Sequence, residues 1–362
     1  MYPALAVLQA LNEHKPSWIS DGSVLWLGGE DGMEKDILSR QDIEYRTIPA
    51  AGIHGVGIRN LPRNLTQLLR GYIKAGKIIR EFKPDVMFFT GGYLAVPAAF
   101  AGRSIPSLVF IPDIEPGLAI KTIANLSAEI AISVDQSRLY TPPGKPVKVT
   151  GYPVRSDLLA WTRESALRAL DLKADNPILL VFGGSKGARS INRALAAILA
   201  ELLRDDIQVI HITGKLDYEE MLTNQEQLTV KDKEKYRVFP FLHEEMGAAL
   251  KCADLVVSRS GASILGEYPA FGIPAILVPY PHAWRYQKTN AKYLADRGAA
   301  EIIKDEDLPD LLLPRIRGLM GDQEQLSMMG TAMKKLAQPD AALNIADQLI
   351  SLSGSAEGGL SL

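Results

Sequence analysis

The sequence predicts an α/β protein made of two doubly wound, Rossmann-like domains. Three observations carry this expectation. Short runs of aliphatic, β-branched and aromatic residues alternate with longer amphipathic stretches along nearly the whole chain. The short runs are continuously apolar, as parallel strands covered by helices on both faces require. A length of 362 residues exceeds one ordinary core and suits two of about 150–200 residues each.

Taken in order, strands are predicted over 24–27, 45–48, 86–89, 108–111, 130–134 and 147–150. A second set follows over 178–182, 209–213, 237–239, 255–258, 275–278 and 301–303. Helical periodicity covers 61–82, 190–203 and 287–296, with a weaker stretch over 308–320 that Pro314 interrupts. The turn Thr141-Pro142-Pro143-Gly144-Lys145-Pro146 precedes the last strand of the first set, and Asp175-Asn176-Pro177 opens the second. The linker is therefore expected within 152–176. The predicted division is a first domain over 1–155, a second domain over 156–345 and a tail over 346–362, whose small polar end is expected to fray. The chain opens on a helix pattern, Ala4–Leu11, immediately after Pro3. A doubly wound domain ordinarily opens on a central strand. The expectation is that a strand belongs ahead of this helix and that Met1 is not the natural start.

Composition removes several classes of function. Forty basic and 42 acidic residues leave a net charge of −2, which gives no sign of a nucleic-acid partner. The lone Cys252 excludes an internal disulfide framework and a cysteine zinc site, and suits a reducing cytoplasm. No apolar run reaches the roughly 18–20 residues that span a bilayer, and the opening residues lack the basic region of a signal peptide. No histidine–carboxylate cluster has metal-ligand spacing, so no metal and no cofactor is expected.

Three strand-to-helix turns stand out. Gly183-Gly184-Ser185-Lys186-Gly187-Ala188 joins an apolar strand directly to a helix. Its glycines let the backbone approach a ligand, and the helix start presents free N–H groups to phosphate. Neither the P-loop nor the Gly-x-Gly-x-x-Gly spacing fits it. Thr90-Gly91-Gly92-Tyr93 repeats the pattern in the first half. The third turn runs from Ser258 through Arg259-Ser260-Gly261-Ala262-Ser263-Ile264-Leu265-Gly266 to Glu267. A carboxylate expected about a turn into that helix suits both hydroxyls of a ribose. A ligand-free turn would use the same residues, and each motif taken singly leaves both readings open. A polar, aromatic loop, Pro279 to Asn290, follows the next strand.

With these pieces in their order and spacing, the chain resembles the MurG-like glycosyltransferases from Tyr2 to about residue 350. The resemblance rests on Tyr2-Pro3-Ala4-Leu5-Ala6, Gly91-Gly92-Tyr93, Gly151-Tyr152-Pro153-Val154-Arg155, Gly183–Ala188 and Ser258–Glu267. It implies a GT-B fold, two Rossmann-like domains facing across a cleft. The implied activity is inverting, metal-independent transfer of N-acetylglucosamine from UDP-N-acetylglucosamine to lipid I, giving lipid II for peptidoglycan. It also implies a donor site with Gly184 and Ser185 at phosphate and Arg155 and Leu242 lining the nucleotide. Ser260, Gly261, Ala262, Ser263, Ile264, Leu265 and Glu267 would hold uracil, phosphates and ribose. Tyr286, Gln287 and Asn290 would lie toward the sugar, and Gly91, Gly92 and Tyr93 on the acceptor side. Tyr286 replaces one glutamine of the family's pair. The family's opening glycine loop and its histidine are absent ahead of Tyr2. Phe110-Ile111-Pro112-Asp113 replaces a His-Glu-Gln-Asn stretch, which marks a divergent member.

The general base is not identified by these residues; Asp113, His282 and His54 are the candidates, from loops expected near the sugar or the acceptor. Residues 53–84 carry seven basic residues (Arg59, Arg63, Arg70, Lys74, Lys77, Arg80, Lys83) against one glutamate, with Leu65, Leu68, Leu69, Tyr72 and Ile73 between them. Residues 59–83 are read as a contact to an anionic membrane, placing the protein peripherally on the inner face of the cell membrane. The expected partners are the UDP-sugar, a lipid-linked acceptor, that membrane surface and other proteins of cell-wall synthesis. Two alternatives stay open: a non-catalytic or partner-dependent sugar-nucleotide-binding homologue, and a transferase acting on another lipid. A sugar-nucleotide epimerase of the same build would need further acid/base side chains around the sugar.

Overall fold

The computed structural model describes residues 1–19, 22–29, 43–49, 61–184, 187–282 and 286–357. The chain divides into two compact units, one of Met1–Arg155 with Asp340–Leu362 and one of Ser156–Pro339. Each is a parallel α/β structure.

In the first unit, strands β1 (Leu25–Gly28) and β2 (Glu44–Thr47) pair in parallel, and β3 (Met87–Phe89), β4 (Ser107–Ile111), β5 (Glu129–Ile132) and β6 (Val147–Val149) form a second parallel sheet in sequence order. Helices α1 (Tyr2–His14), α2 (Leu61–Phe82), α3 (Ala95–Ala101) and α4 (Leu118–Leu126) cover them. Both faces of β4 are buried, as its unbroken Ser-Leu-Val-Phe-Ile run demands. Val109, Ile111, Ile130 and Ile132 anchor a core against which Leu25 and Leu27 also pack.

The second unit holds a six-stranded parallel sheet, β7 (Ile178–Phe182), β8 (Gln208–Ile212), β9 (Tyr236–Phe239), β10 (Leu255–Ser258), β11 (Ala275–Leu277) and β12 (Ala300–Ile302). Its order is β12-β11-β10-β7-β8-β9, so the chain reverses direction across the sheet between β7 and β10. Ligands of doubly wound sheets bind outside the carboxyl ends of the strands at this switch. The principal helices are α5 (Arg189–Arg204), α6 (Tyr218–Glu226), α7 (Met246–Cys252), α8 (Glu267–Phe271), α9 (Tyr286–Ala295), α10 (Leu308–Gly321) and α11 (Gln323–Lys334). Pro314 does not interrupt α10: Leu308, Leu312, Ile316 and Leu319 bury one face, and this packing outweighs the lost backbone bond.

The chain then returns to the first unit as α12 (Ala341–Glu357), against the expectation that residues up to 345 belong to the second domain and that a tail follows. Ala341, Ile345, Leu349 and Leu352 recur at helical spacing and are buried. Trp18 Nε1 donates to Ser353 Oγ (3.2 Å), and Gln348 Nε2 to Glu129 (3.2 Å), tying α12 to the body of its unit.

Candidate functional site

The glycine turn after β7 folds as it does because side chains have no room. A Cβ on Gly187 would collide with the Thr213 carbonyl, and one on Gly183 with the Ala188 amide. Gly184 and Gly187 hold φ of +86° and +75°, and the Gly187 N–H donates to the Gly184 carbonyl (2.9 Å). Ala188, extended at φ −146°, then starts the 16-residue helix α5 with no side chain capping its first amides. Those amides and the helix dipole face the switch point, the arrangement that receives a phosphate. Ser185 lies outside the described residues.

Beside it, β10 runs into Arg259, the buried Ser260 and Gly261. The expected single helix with Glu267 about a turn inside is not what forms. Ala262–Leu265 is a 3₁₀ turn, and α8 begins at Glu267 itself. Pro269 explains the shift, because it is tolerated in a first turn, whereas a helix continuous from Ala262 would set its ring against the Leu265 carbonyl. Ala262 and Ser263 are half-buried, Ile264 and Leu265 are buried, and the half-buried Glu267 carboxylate stands at the helix start that favours its charge. Under the turn, Tyr268 OH and Ser258 Oγ share a 2.5 Å hydrogen bond, and burial pushes the Tyr268 phenol above its ordinary range.

The start of α9 is stitched to the same turn. Ser260 Oγ donates to the Gln287 carbonyl (2.8 Å), and Asn290 Nδ2 donates to the Ser260 carbonyl (3.2 Å). The Tyr280 N–H donates to Gln287 Oε1 (2.8 Å). Asn290 is fully buried, with its amide turned to the loop, while Tyr286 and Gln287 are half-buried. His282 is exposed, its ring edge-on to Tyr280 at 5.5 Å. Leu242 is buried in the loop leaving β9. Gly184, Leu242, Ser260 to Glu267 and Gln287 thus belong to loops and helix starts at one end of one sheet.

The remaining predicted residues belong to the first unit. Gly91 and Gly92 take φ of +118° and +87° after β3, and a Cβ on Gly91 would press on Ile120 at 3.1 Å. Tyr93 is exposed. Asp113 is half-buried in the loop between β4 and α4, and Glu115, two residues on, is buried at 8 % exposure. Sequence reasoning passed over Glu115; its proximity to Asp113 in a strand-following loop was the available signal. The Arg155 guanidinium lies over the Tyr2 ring, 5.0 Å from its centroid. His54 lies outside the described residues. Among the described residues, no group of three or more His, Cys, Asp or Glu is placed to hold a metal ion.

Residues 1–132 match the glycosyltransferase family 28 N-terminal domain and residues 178–345 the family's C-terminal domain. The chain is 37 % identical to the UDP-N-acetylglucosamine--N-acetylmuramyl-(pentapeptide) pyrophosphoryl-undecaprenol N-acetylglucosamine transferase of Roseiflexus sp. (strain RS-1), over 96 % of this chain and 91 % of that one. It is 34 % identical to the protein of the same description in Desulforamulus reducens, over 95 % and 93 %. Among solved structures it resembles Acinetobacter baumannii MurG, with a TM-score of 0.72 at 26 % identity, covering 97 % of this chain and 95 % of that one. With both family domains matched in order and close relatives aligned along nearly the full length, this chain belongs to glycosyltransferase family 28.

Proposed function

We propose that this enzyme transfers N-acetylglucosamine from UDP-N-acetylglucosamine to the lipid-linked N-acetylmuramyl-pentapeptide acceptor, making lipid II for peptidoglycan. The observation that carries this reading is the full-length similarity to proteins described by that reaction, joined to strand-end loops of the second unit that suit a nucleotide diphosphate sugar. The acceptor hydroxyl attacks the anomeric carbon, the bond from that carbon to the UDP oxygen breaks, and a base takes the hydroxyl proton. UDP leaves with the electron pair, and the configuration inverts.

The residues divide this work by their chemistry. Amides at the start of α5 and in the Ser260–Leu265 turn stabilise charge growing on the departing diphosphate, because they are fixed before the reaction. Ser185 adds a hydroxyl there. Glu267 accepts from the ribose hydroxyls, Leu242 and Arg155 line the nucleotide, and Gln287 offers its amide N–H groups to the sugar, its oxygen being engaged by Tyr280. Tyr286 lies toward the sugar as well, and Asn290 acts through Ser260. Gly91, Gly92 and Tyr93 border the acceptor. Asp113 is the base we favour, since it sits at the carboxyl end of β4 in the unit assigned to the acceptor.

A peripheral membrane contact through α2 completes the reading. Gly71, Ala75 and Ile78 form its buried face, while Leu69, Tyr72 and Ile73 are 60 %, 46 % and 61 % exposed among Arg70, Lys74 and Lys77. Exposed apolar side chains interleaved with basic ones suit an anionic lipid surface. Among the described residues no helix is long and apolar enough to cross a membrane. The test is transfer of radiolabelled N-acetylglucosamine from UDP to purified lipid I in detergent. Labelled lipid II is the expected product; UDP binding without any transfer would favour the non-catalytic reading.

A further inference from the structure

A single guanidinium joins the carboxyl-end loops of four neighbouring strands in the second unit. Arg259 follows β10, and its side chain is only 9 % exposed. Its Nη1 donates to the Val278 carbonyl where β11 ends (3.1 Å) and pairs with Asp305, in the turn after β12. Its Nη2 donates to Ser190 Oγ (2.7 Å), in the first turn of α5 beyond β7. Ser190 Oγ in turn donates to Asp305 Oδ1 (2.8 Å), closing a ring of three side chains. The guanidinium also lies over the Tyr280 ring, 5.2 Å from its centroid. The strands β12, β11, β10 and β7 are consecutive in the sheet, so each contributes one member.

A buried ion pair is a weak source of stability, because desolvation of both charges offsets their attraction. What the arrangement supplies is geometry. A planar fork holds its donors on separate nitrogens in fixed directions toward the hydroxyl, the carboxylate and the carbonyl, whereas the three donors of an ammonium radiate from one nitrogen on a flexible stem. The elements it fixes are the ones assigned to the donor: the phosphate-facing start of α5, the Ser260–Leu265 turn, and Tyr280, whose N–H holds Gln287.

We propose that Arg259, with Asp305 and Ser190, is a positioning group that sets the spacing between the α5 start and the Ser260–Leu265 turn, presenting UDP-N-acetylglucosamine with a preformed surface. The proposal rests on the donor-site reading above. Arg259 acts through the loops and touches no substrate.

The test uses the full chain with Arg259→Lys, which keeps the charge and loses the fork, and Ser190→Ala, which removes one hydroxyl and keeps the ion pair. Calorimetric UDP affinity, thermal melting and steady-state constants are measured on each, beside Glu267→Ala. Both positioning variants are expected to fold, to weaken UDP binding by about five- to twentyfold, and to raise KM for UDP-N-acetylglucosamine while the acceptor KM stays unchanged. A role limited to folding would lower the melting temperature and leave the donor KM alone. If folded Arg259→Lys and Ser190→Ala bind UDP within about twofold of the parent while Glu267→Ala binds weakly, the positioning role is overturned and the donor site stands. If all three bind UDP like the parent, the donor site and the positioning role fall together. Should Arg259→Lys fail to fold, Ser190→Ala alone decides.

Discussion

His211 donates through Nε2 to the Asn192 side-chain oxygen over 3.0 Å, deep in the second unit. The direction follows from the neighbours. Asn192 Nδ2 is committed to the Thr213 carbonyl (2.9 Å) and to Asp217 (2.8 Å), so its oxygen faces the imidazole as an acceptor. Nδ1 then accepts from Tyr236 OH at 2.8 Å. Asp217 also receives Arg189 Nε at 2.9 Å, so the network runs from β9 to the first residue of α5. It reaches the start of that helix from β8 and β9, which lie on the other side of β7 from the strand that carries Arg259.

This network makes stability depend on pH. Burial holds the His211 imidazole down at about 3, against an opposing pull from Asp217, whereas in the unfolded chain it titrates near its ordinary value of 6.5. Between those values the unfolded chain binds more protons, so stability is full above about 6.5 and falls as pH drops toward 3. Chemical denaturation at about pH 5 is expected to show a loss of about 2 kcal/mol from this group relative to neutral pH. His211→Gln, which cannot titrate, should flatten that part of the profile. An unchanged profile would assign the acid sensitivity to other groups.

Glu267 stands at the first position of α8 rather than inside it. If its carboxylate meets the ribose, Glu267→Ala removes one charge-assisted contact, and UDP affinity falls by about 1–3 kcal/mol. Binding of uracil alone, without ribose, should be the same in both proteins. Calorimetry with UDP and with uracil checks both halves, and equal loss for the two ligands would place the carboxylate elsewhere.

How much of this was legible in the sequence depends on the distance over which each element is specified. Strands such as β4 and β7 announce themselves through their own continuous apolar runs. The glycine turn after β7 is local only in part: Gly183 answers a contact with Ala188 inside the motif, whereas Gly187 answers the Thr213 carbonyl at the end of the next strand. The helix α12 was missed because its polar end, Ser351 to Gly354, resembles a tail, and its partners lie at the far end of the chain: Trp18 and Ser353 are 335 positions apart. Arg259 and Asp305 were passed over for the same reason. They are 46 residues apart, and each looks like an ordinary surface charge until the sheet order brings β10 and β12 to either side of β11.

Asp113 gives a prediction about chemistry rather than binding. General-base catalysis is worth about 10²–10⁴ in rate, so Asp113→Asn should lower kcat within that range while UDP affinity is kept. His282 is exposed and leans on Tyr280; His282→Gln should lower kcat by less than about tenfold. Steady-state assays with lipid I, run beside UDP calorimetry, separate the two. The reverse ranking would transfer the base to His282. Loss in neither would direct attention to Glu115, the buried carboxylate of the same loop.

The last prediction concerns the exposed face of α2. Each basic residue near an anionic bilayer contributes about 1 kcal/mol. Reversing Arg70, Lys74 and Lys77 to glutamate replaces attraction with repulsion, so binding to vesicles containing anionic lipid should fall by well over tenfold. Replacing Leu69 and Ile73 with serine tests the apolar half of the same face and should weaken binding to neutral and anionic vesicles alike. Neither change touches the buried Ala75 or Ile78, so folding and UDP affinity should hold. Vesicle sedimentation at low and at high salt distinguishes the two contributions: salt removes the charged part and leaves the apolar part. If both variants sediment with anionic vesicles like the parent protein, α2 is an ordinary solvated helix and the membrane contact lies elsewhere.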